Sequence, residues 1–94
     1  MNFNVYIITN RKDGVLYIGK TKRLKQRIFQ HKNKVHPNAF SARYGLDKLV
    51  YFEKFKSEEE ARIREKRMKK WNRKWKIELI EKMNPYWRDL SKDL

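Results

Sequence analysis

The sequence predicts an α+β fold: a small three-stranded antiparallel sheet flanked by helices, in the order β-β-α-β-α-α, as a single domain over residues 1–94. Three observations lead there. Phe3 to Thr9 and Val15 to Gly19 are rich in β-branched and aromatic residues, and they flank the turn-forming run Asn10-Arg11-Lys12-Asp13-Gly14, as in a β-hairpin. Leu49 to Phe55 repeats the strand pattern. Directly after it, Ser57 with Glu60 three residues on forms a capping box that opens a long helical stretch. A chain of 94 residues closes about one hydrophobic core, which fixes the domain count.

In the hairpin, the two-residue period of a strand puts Asn4, Tyr6 and Ile8 on one face and Val5 and Ile7 on the other. Val15, Tyr17 and Gly19 share a face of the second strand, so a register that pairs these faces sets both Tyr hydroxyls on one surface. Gly19 ends that strand, and Thr21 or its neighbour caps a helix running to about Asn33. With Leu24 at 0° and about 100° per residue, Ile28 falls near 40°, His31 near 340° and Arg27 near 300°. The apolar side of this helix therefore carries a His and borders an Arg, while Lys25, Gln26, Phe29 and Gln30 face away.

Residues 33–47, with Pro37, Asn38 and Gly45, read as an irregular or partly helical surface connection. In the third strand, alternation groups Leu49, Tyr51 and Glu53 against Val50 and Phe52. On the helix after Ser57, Ala61, Glu65, Met68 and Asn72 form an inward stripe with Trp71 and Trp75 beside it, and Arg62, Lys66, Arg67 and Lys70 form a basic face. An inward carboxylate must be ion-paired, hydrogen-bonded or bound to a cation, so Glu65 pairs with a base such as Arg64 or Lys69 or holds a metal. A last helical segment, about Arg73 to Lys82, brings Trp75, Leu79, Ile80 and Met83 inward; Asn84-Pro85 stops it, and Trp87 and Leu90 lay the tail back on the core.

Charge narrows the function. Twenty-five Lys and Arg against 11 Asp and Glu give +14, which points to phosphate backbones or anionic surfaces as partners. No apolar run approaches the ~20 residues of a membrane span, and Val5 to Ile8 is too short for a signal-peptide core. Cysteine is absent, which excludes thiolate metal sites and disulfides. A cytoplasmic protein without membrane partners is expected.

Taken together, two phenols on one hairpin, a guanidinium and an imidazole on the following helix and an inward carboxylate on a later one form a candidate site. The sequence resembles the GIY-YIG nuclease domain. The second motif stands complete as Tyr17-Ile18-Gly19 after Leu16, and the first survives as Asn4-Val5-Tyr6, keeping the Tyr but not the Gly. Lys20-Thr21 with Leu24, Arg27 and His31 resembles that family's first helix, and Arg64-Glu65-Lys66 followed by Lys69-Lys70-Trp71 its metal-binding helix. The tail from Asn84 to Leu90 resembles small single-domain bacterial members.

The resemblance implies a metal-dependent DNA endonuclease, probing repair or recombination substrates. In its terms Glu65 holds one Mg²⁺ or Mn²⁺, Arg27 braces the scissile phosphate, and Tyr17, assisted by Tyr6, orients or deprotonates the attacking water. A phenol needs a lowered pKa for such a base role. His31 shares that role or hydrogen-bonds the Tyr, Asn84 orients the site, and Lys20, Arg43, Lys66, Lys69 and Lys70 contact DNA phosphates. No base-reading element is evident, so weak sequence preference follows, with Phe40 or Tyr44 offering stacking on single strands. The alternative is a nucleic-acid-binding module, weak or inactive in catalysis. A third reading is a basic protein docked on ribosomal RNA or a repair assembly.

Overall fold

The computed structural model describes residues 2–35 and 39–94, so His36, Pro37 and Asn38 of the predicted connection lie outside the described residues. The elements are β1 (Phe3–Thr9), β2 (Leu16–Thr21), α1 (Leu24–Lys32), α2 (Phe40–Arg43), β3 (Lys48–Phe55), α3 (Glu58–Lys70), α4 (Arg73–Met83) and a 3₁₀ turn at Leu90–Asp93. The predicted α+β class and element order hold, with a one-turn helix, α2, added before β3. The sheet is antiparallel throughout, in the order β2-β1-β3. No helix among the described residues is long and apolar enough to cross a membrane.

The central strand explains the layering. From Asn4 to Thr9 every residue of β1 is buried, because both sheet faces are covered. Val5 and Ile7 join Ile18, Val50, Tyr51, Ala61, Met68, Ile80 and Trp87 under α3 and α4. Tyr6 and Ile8 join Leu24, Ile28, Leu46, Leu49 and Leu90 under α1 and the tail. The hairpin closes through Gly14 N–H on the Arg11 carbonyl (2.9 Å) and Val15 N–H on Asn10 Oδ1 (3.0 Å), the turn chemistry expected of that run.

Several sequence expectations are corrected here. β2 runs two residues past Gly19, to Thr21. Arg23, with no side-chain cap, occupies the N-cap of α1, while Thr21 Oγ1 accepts the Arg23 N–H at 3.0 Å. The predicted face grouping in β3 fails because its pairing with β1 jumps between Ile7↔Tyr51 and Ile8↔Leu49, leaving Val50 as an extra residue. Such a bulge breaks the alternation, so Leu49 and Phe52 pack on one face and Val50 and Tyr51 on the other.

The long helical stretch is two helices. Ser57 Oγ accepts the Glu60 N–H at 3.3 Å, as the capping signal predicted. α3 then stops at Trp71, whose ψ of 150° is extended, and Asn72 caps α4 by accepting the Trp75 N–H at 2.9 Å. Asn72 is therefore a cap instead of an inward residue. The break resets the helical phase: Ile80 is buried and Ile77 and Leu79 are partly so, whereas Trp75 and Met83, predicted inward, are about half exposed.

Asn84 and Asp89 fasten the tail. Buried Asn84 donates through Nδ2 to the carbonyls of Val50 (3.2 Å) and Arg88 (2.8 Å), and its Oδ1 accepts the Arg88 N–H (3.0 Å). Asp89 accepts from Lys32 Nζ (2.6 Å) on α1, the Leu49 N–H (3.2 Å) on β3, and the Ser91 N–H and hydroxyl. Partial burial works against the Asp89 charge, but these donors outweigh it and hold its pKa at about 2, below the ordinary 3.8. A depressed carboxyl stabilises fully above its unfolded pKa and loses that contribution as pH falls toward its folded value. Asp89→Asn is expected to cost about 1–2 kcal/mol at neutral pH and to flatten the fall in melting temperature between about pH 4 and about pH 2, read by thermal unfolding across that window.

Candidate active site

The site forms where α1 crosses the Tyr6 face of the sheet. Tyr6 pairs with Gly19 in the strand register, and the ring lies across that glycine: a Cβ at Gly19 would sit 2.5 Å from Tyr6 Cζ. Only a residue without a side chain lets the phenol reach past β2 at this point. The Tyr6 hydroxyl then meets His31 Nε2 on α1 at 2.9 Å, and His31 Nδ1 meets the Ser41 hydroxyl at 2.9 Å. A hydrogen-bonded chain thus joins β1, α1 and α2.

Tyr17 lies on the same face, as the hairpin pattern predicted. Its ring centroid is 6.4 Å from that of Tyr6 and 5.8 Å from that of His31. Tyr17, Arg27, Gln30, His31, Lys34 and residues 39–42 line a cavity of about 260 Å³. Arg27 and Gln30 also line a neighbouring cleft of about 330 Å³ with Thr21, Lys22, Arg23 and Gln26. Among the described residues no carboxylate lines either space, so both present positive charge.

Burial pushes the Tyr6 phenol well above its usual range; the nearby Tyr17 adds to this, Arg27 opposes it, and the Glu65 carboxylate adds again. A phenolic base requires the opposite shift. The Tyr6 and Ser41 hydroxyls thus engage the two ring nitrogens of His31.

Glu65 approaches from α3. That helix runs along the β2 side of the sheet, where Lys20 pairs with Glu58 at 3.6 Å. Glu65's side chain is 19% exposed and its carboxylate lies 3.3 Å from Lys69 Nζ. Of the two bases named as partners, Lys69 takes the role; Arg64 instead forks onto Glu53 (2.9 and 3.1 Å) and stacks over Trp71 at 4.9 Å.

The remaining predicted residues lie apart from the cavity. Lys20 is engaged by Glu58 on the α3 side of the sheet. Arg43 is exposed at the end of α2, directly after the lining residue Ala42. Lys66, Lys69 and Lys70 are exposed on α3. All three hydrogen bonds of the Asn84 amide go to backbone of β3 and the tail, so it orients the tail and not the cavity side chains. Two residues escaped the sequence reading. Ser41 carries no local signal, since its bond to His31 exists only once α2 packs on α1. Asn4, read only as part of a motif, is buried on the Tyr6 face, and its Oδ1 has no hydrogen-bond partner among the described residues.

Residues 2–78 match the family model described as the GIY-YIG catalytic domain. The chain belongs to that family. It is 44% identical over 84 residues to the UPF0213 protein CPE1444 of Clostridium perfringens, a match covering 85% of this chain and 83% of that protein. It is 37% identical over 76 residues to the UPF0213 protein SSP2268 of Staphylococcus saprophyticus, covering 81% and 90%. The solution NMR structure of the UPF0213 protein BH0048 from Bacillus halodurans superposes with a TM-score of 0.59 at 30% identity, over 98% of this chain and 96% of that one. Membership of the GIY-YIG family carries nuclease-type chemistry and nucleic-acid binding in general.

Proposed function

We propose that this GIY-YIG domain is a Mg²⁺-dependent DNA endonuclease of the cytoplasm, cutting phosphodiester bonds in repair or recombination. One observation carries the reading: Tyr17, Arg27 and His31 line a single cationic cavity, and the His31 ring is hydrogen-bonded to Tyr6 behind it.

The donor set fits Mg²⁺. Among the described residues no group of three or more His, Cys, Asp or Glu is placed to hold a metal, which argues against an all-protein cage. Mg²⁺ binds through one or two carboxylates, substrate phosphate and retained waters, and Glu65 supplies one carboxylate. When bound it supplies Lewis acidity toward a phosphoryl oxygen. The chain's own residues do the rest. Arg27 sets its planar fork on two phosphate oxygens and offsets the charge they gather as water attacks. Tyr17 orients that water. Tyr6 and His31 hold each other, and Ser41 fixes the ring. Lys22, Arg23 and Lys34 line the spaces along which the strand backbone runs.

The 3.3 Å pair between Glu65 and Lys69 favours the second reading, a binding module in which this carboxylate is structural. Nicking of a labelled panel of single-stranded, duplex and branched DNA, with and without Mg²⁺, separates the two. Cleavage is expected with Mg²⁺ and none in EDTA. Binding without cleavage under Mg²⁺ and Mn²⁺ alike would assign the protein to the binding module.

A further inference from the structure

Beside the cavity, α2 exposes two aromatic rings that core packing does not require. Phe40 and Tyr44 are about half exposed, with ring centroids 4.7 Å apart, and Phe40 stacks on Tyr17 at 6.3 Å and 27°. A continuous aromatic path therefore leads from buried Tyr6 through Tyr17 to the surface. Charge beside it is of one sign. Arg27 and Lys34 line the cavity that Phe40 walls, Arg43 is exposed and precedes Tyr44 in the chain, and among the described residues no carboxylate lines the cavity.

Apolar ring faces beside unopposed cations are complementary to a nucleotide, whose base presents a flat π-face and whose phosphate is anionic. In a duplex the base faces are buried against one another, and a protein meets only base edges and phosphates. A stacking wall beside the cavity that Arg27 lines is usable only by a base that has left the stack.

We propose that Phe40 and Tyr44 form a base-stacking site that holds an unpaired nucleobase next to the phosphate at Arg27, making single-stranded or locally unpaired nucleic acid the substrate class. This inference rests on the nuclease reading for the phosphate's fate, but the stacking site itself stands on α2 geometry alone. Lys34 and Arg43 hold the strand's backbone; Phe40 and Tyr44 select for unpaired bases. Alanine at one stacking ring weakens single-strand binding by roughly 5- to 150-fold, the range for aromatic–base stacking.

The test is binding, in EDTA, of a single-stranded oligodeoxynucleotide bearing one 2-aminopurine, whose fluorescence is quenched on stacking, beside its duplex form. Wild type is expected to quench the single strand, and Phe40→Ala and Tyr44→Ala to lose both quenching and affinity for it while duplex affinity stays within about twofold. Phe40→Leu keeps apolar bulk without a π-face and is expected to behave as Phe40→Ala in quenching at an unchanged melting temperature. Equal loss on single strand and duplex, or undiminished quenching in both alanine variants, would overturn the proposal. Because no divalent metal is present, quenching without any cleavage in the Mg²⁺ assay would sink the nuclease reading and leave the stacking site standing. Mg²⁺-dependent nicking that treats duplex and single strand alike in wild type and variants would do the reverse.

Discussion

Glu65→Ala is expected to abolish Mg²⁺-dependent nicking, and Arg27→Ala to lower it by about 10²–10³-fold, the usual cost of removing one group that stabilises a transition-state charge. Both follow from the roles proposed for these residues, Arg27 on the phosphate and Glu65 on the metal. Arg27→Lys is expected to recover little, since an ammonium is a point charge without the planar fork. DNA affinity should move differently in the two variants. Losing Arg27 weakens binding and lowers its salt dependence. Losing Glu65 removes a negative charge and releases Lys69, so binding holds or tightens. Lys69 is half exposed, and a pair of that kind contributes at most about 1 kcal/mol, so Glu65→Ala should leave the melting temperature nearly unchanged. Nicking rates, filter binding at two salt concentrations and thermal melts check this set. A Glu65→Ala protein that nicks like wild type would remove the carboxylate from the mechanism.

Gly19→Ala is expected to damage stability and the site together. The added methyl would overlap the Tyr6 ring, with Cε1 at 2.8 Å and Cζ at 2.5 Å, so the ring, buried among Ile8, Leu24 and Ile28, would have to shift. Overpacking of this kind costs about 1–3 kcal/mol. The ring's escape would pull its hydroxyl from His31 and break the chain to Ser41. The expected result is a lower denaturant midpoint and a fall in nicking beyond what the unfolded fraction explains. Gly19→Ala with wild-type stability and turnover would mean that Tyr6 can tilt freely, against the packing described here.

The residues also tell which features local chemistry specifies. The hairpin, the Ser57 cap and the pairing of Tyr6 and Tyr17 on one face depend on turn types, capping oxygens and a two-residue period, all local. The face assignment in β3 failed because the bulge at Val50 arises from pairing with β1, which no single strand reveals. Trp75 and Met83 were misplaced because one helical wheel was carried through Trp71, where the backbone turns extended and a new helix begins. In the site, Tyr6, Tyr17, Arg27 and His31 were legible as motif residues on predicted faces. Ser41 was not, since its partner lies ten residues back in the sequence, beyond the reach of any local pattern.

The Asp89 stitch has a consequence for the order of events during synthesis. α1 carries Arg27 and His31, and its apolar side rests on Leu46, Leu49 and Leu90 while Lys32 is held by Asp89. The ribosome releases α1 long before residues 89 and 90. Until those arrive, the helix that presents the site lacks its Leu90 contact and its Asp89 ion pair, while Tyr6 and Ser41 already engage the His31 ring. The tail acts as a latch on the last turn of α1.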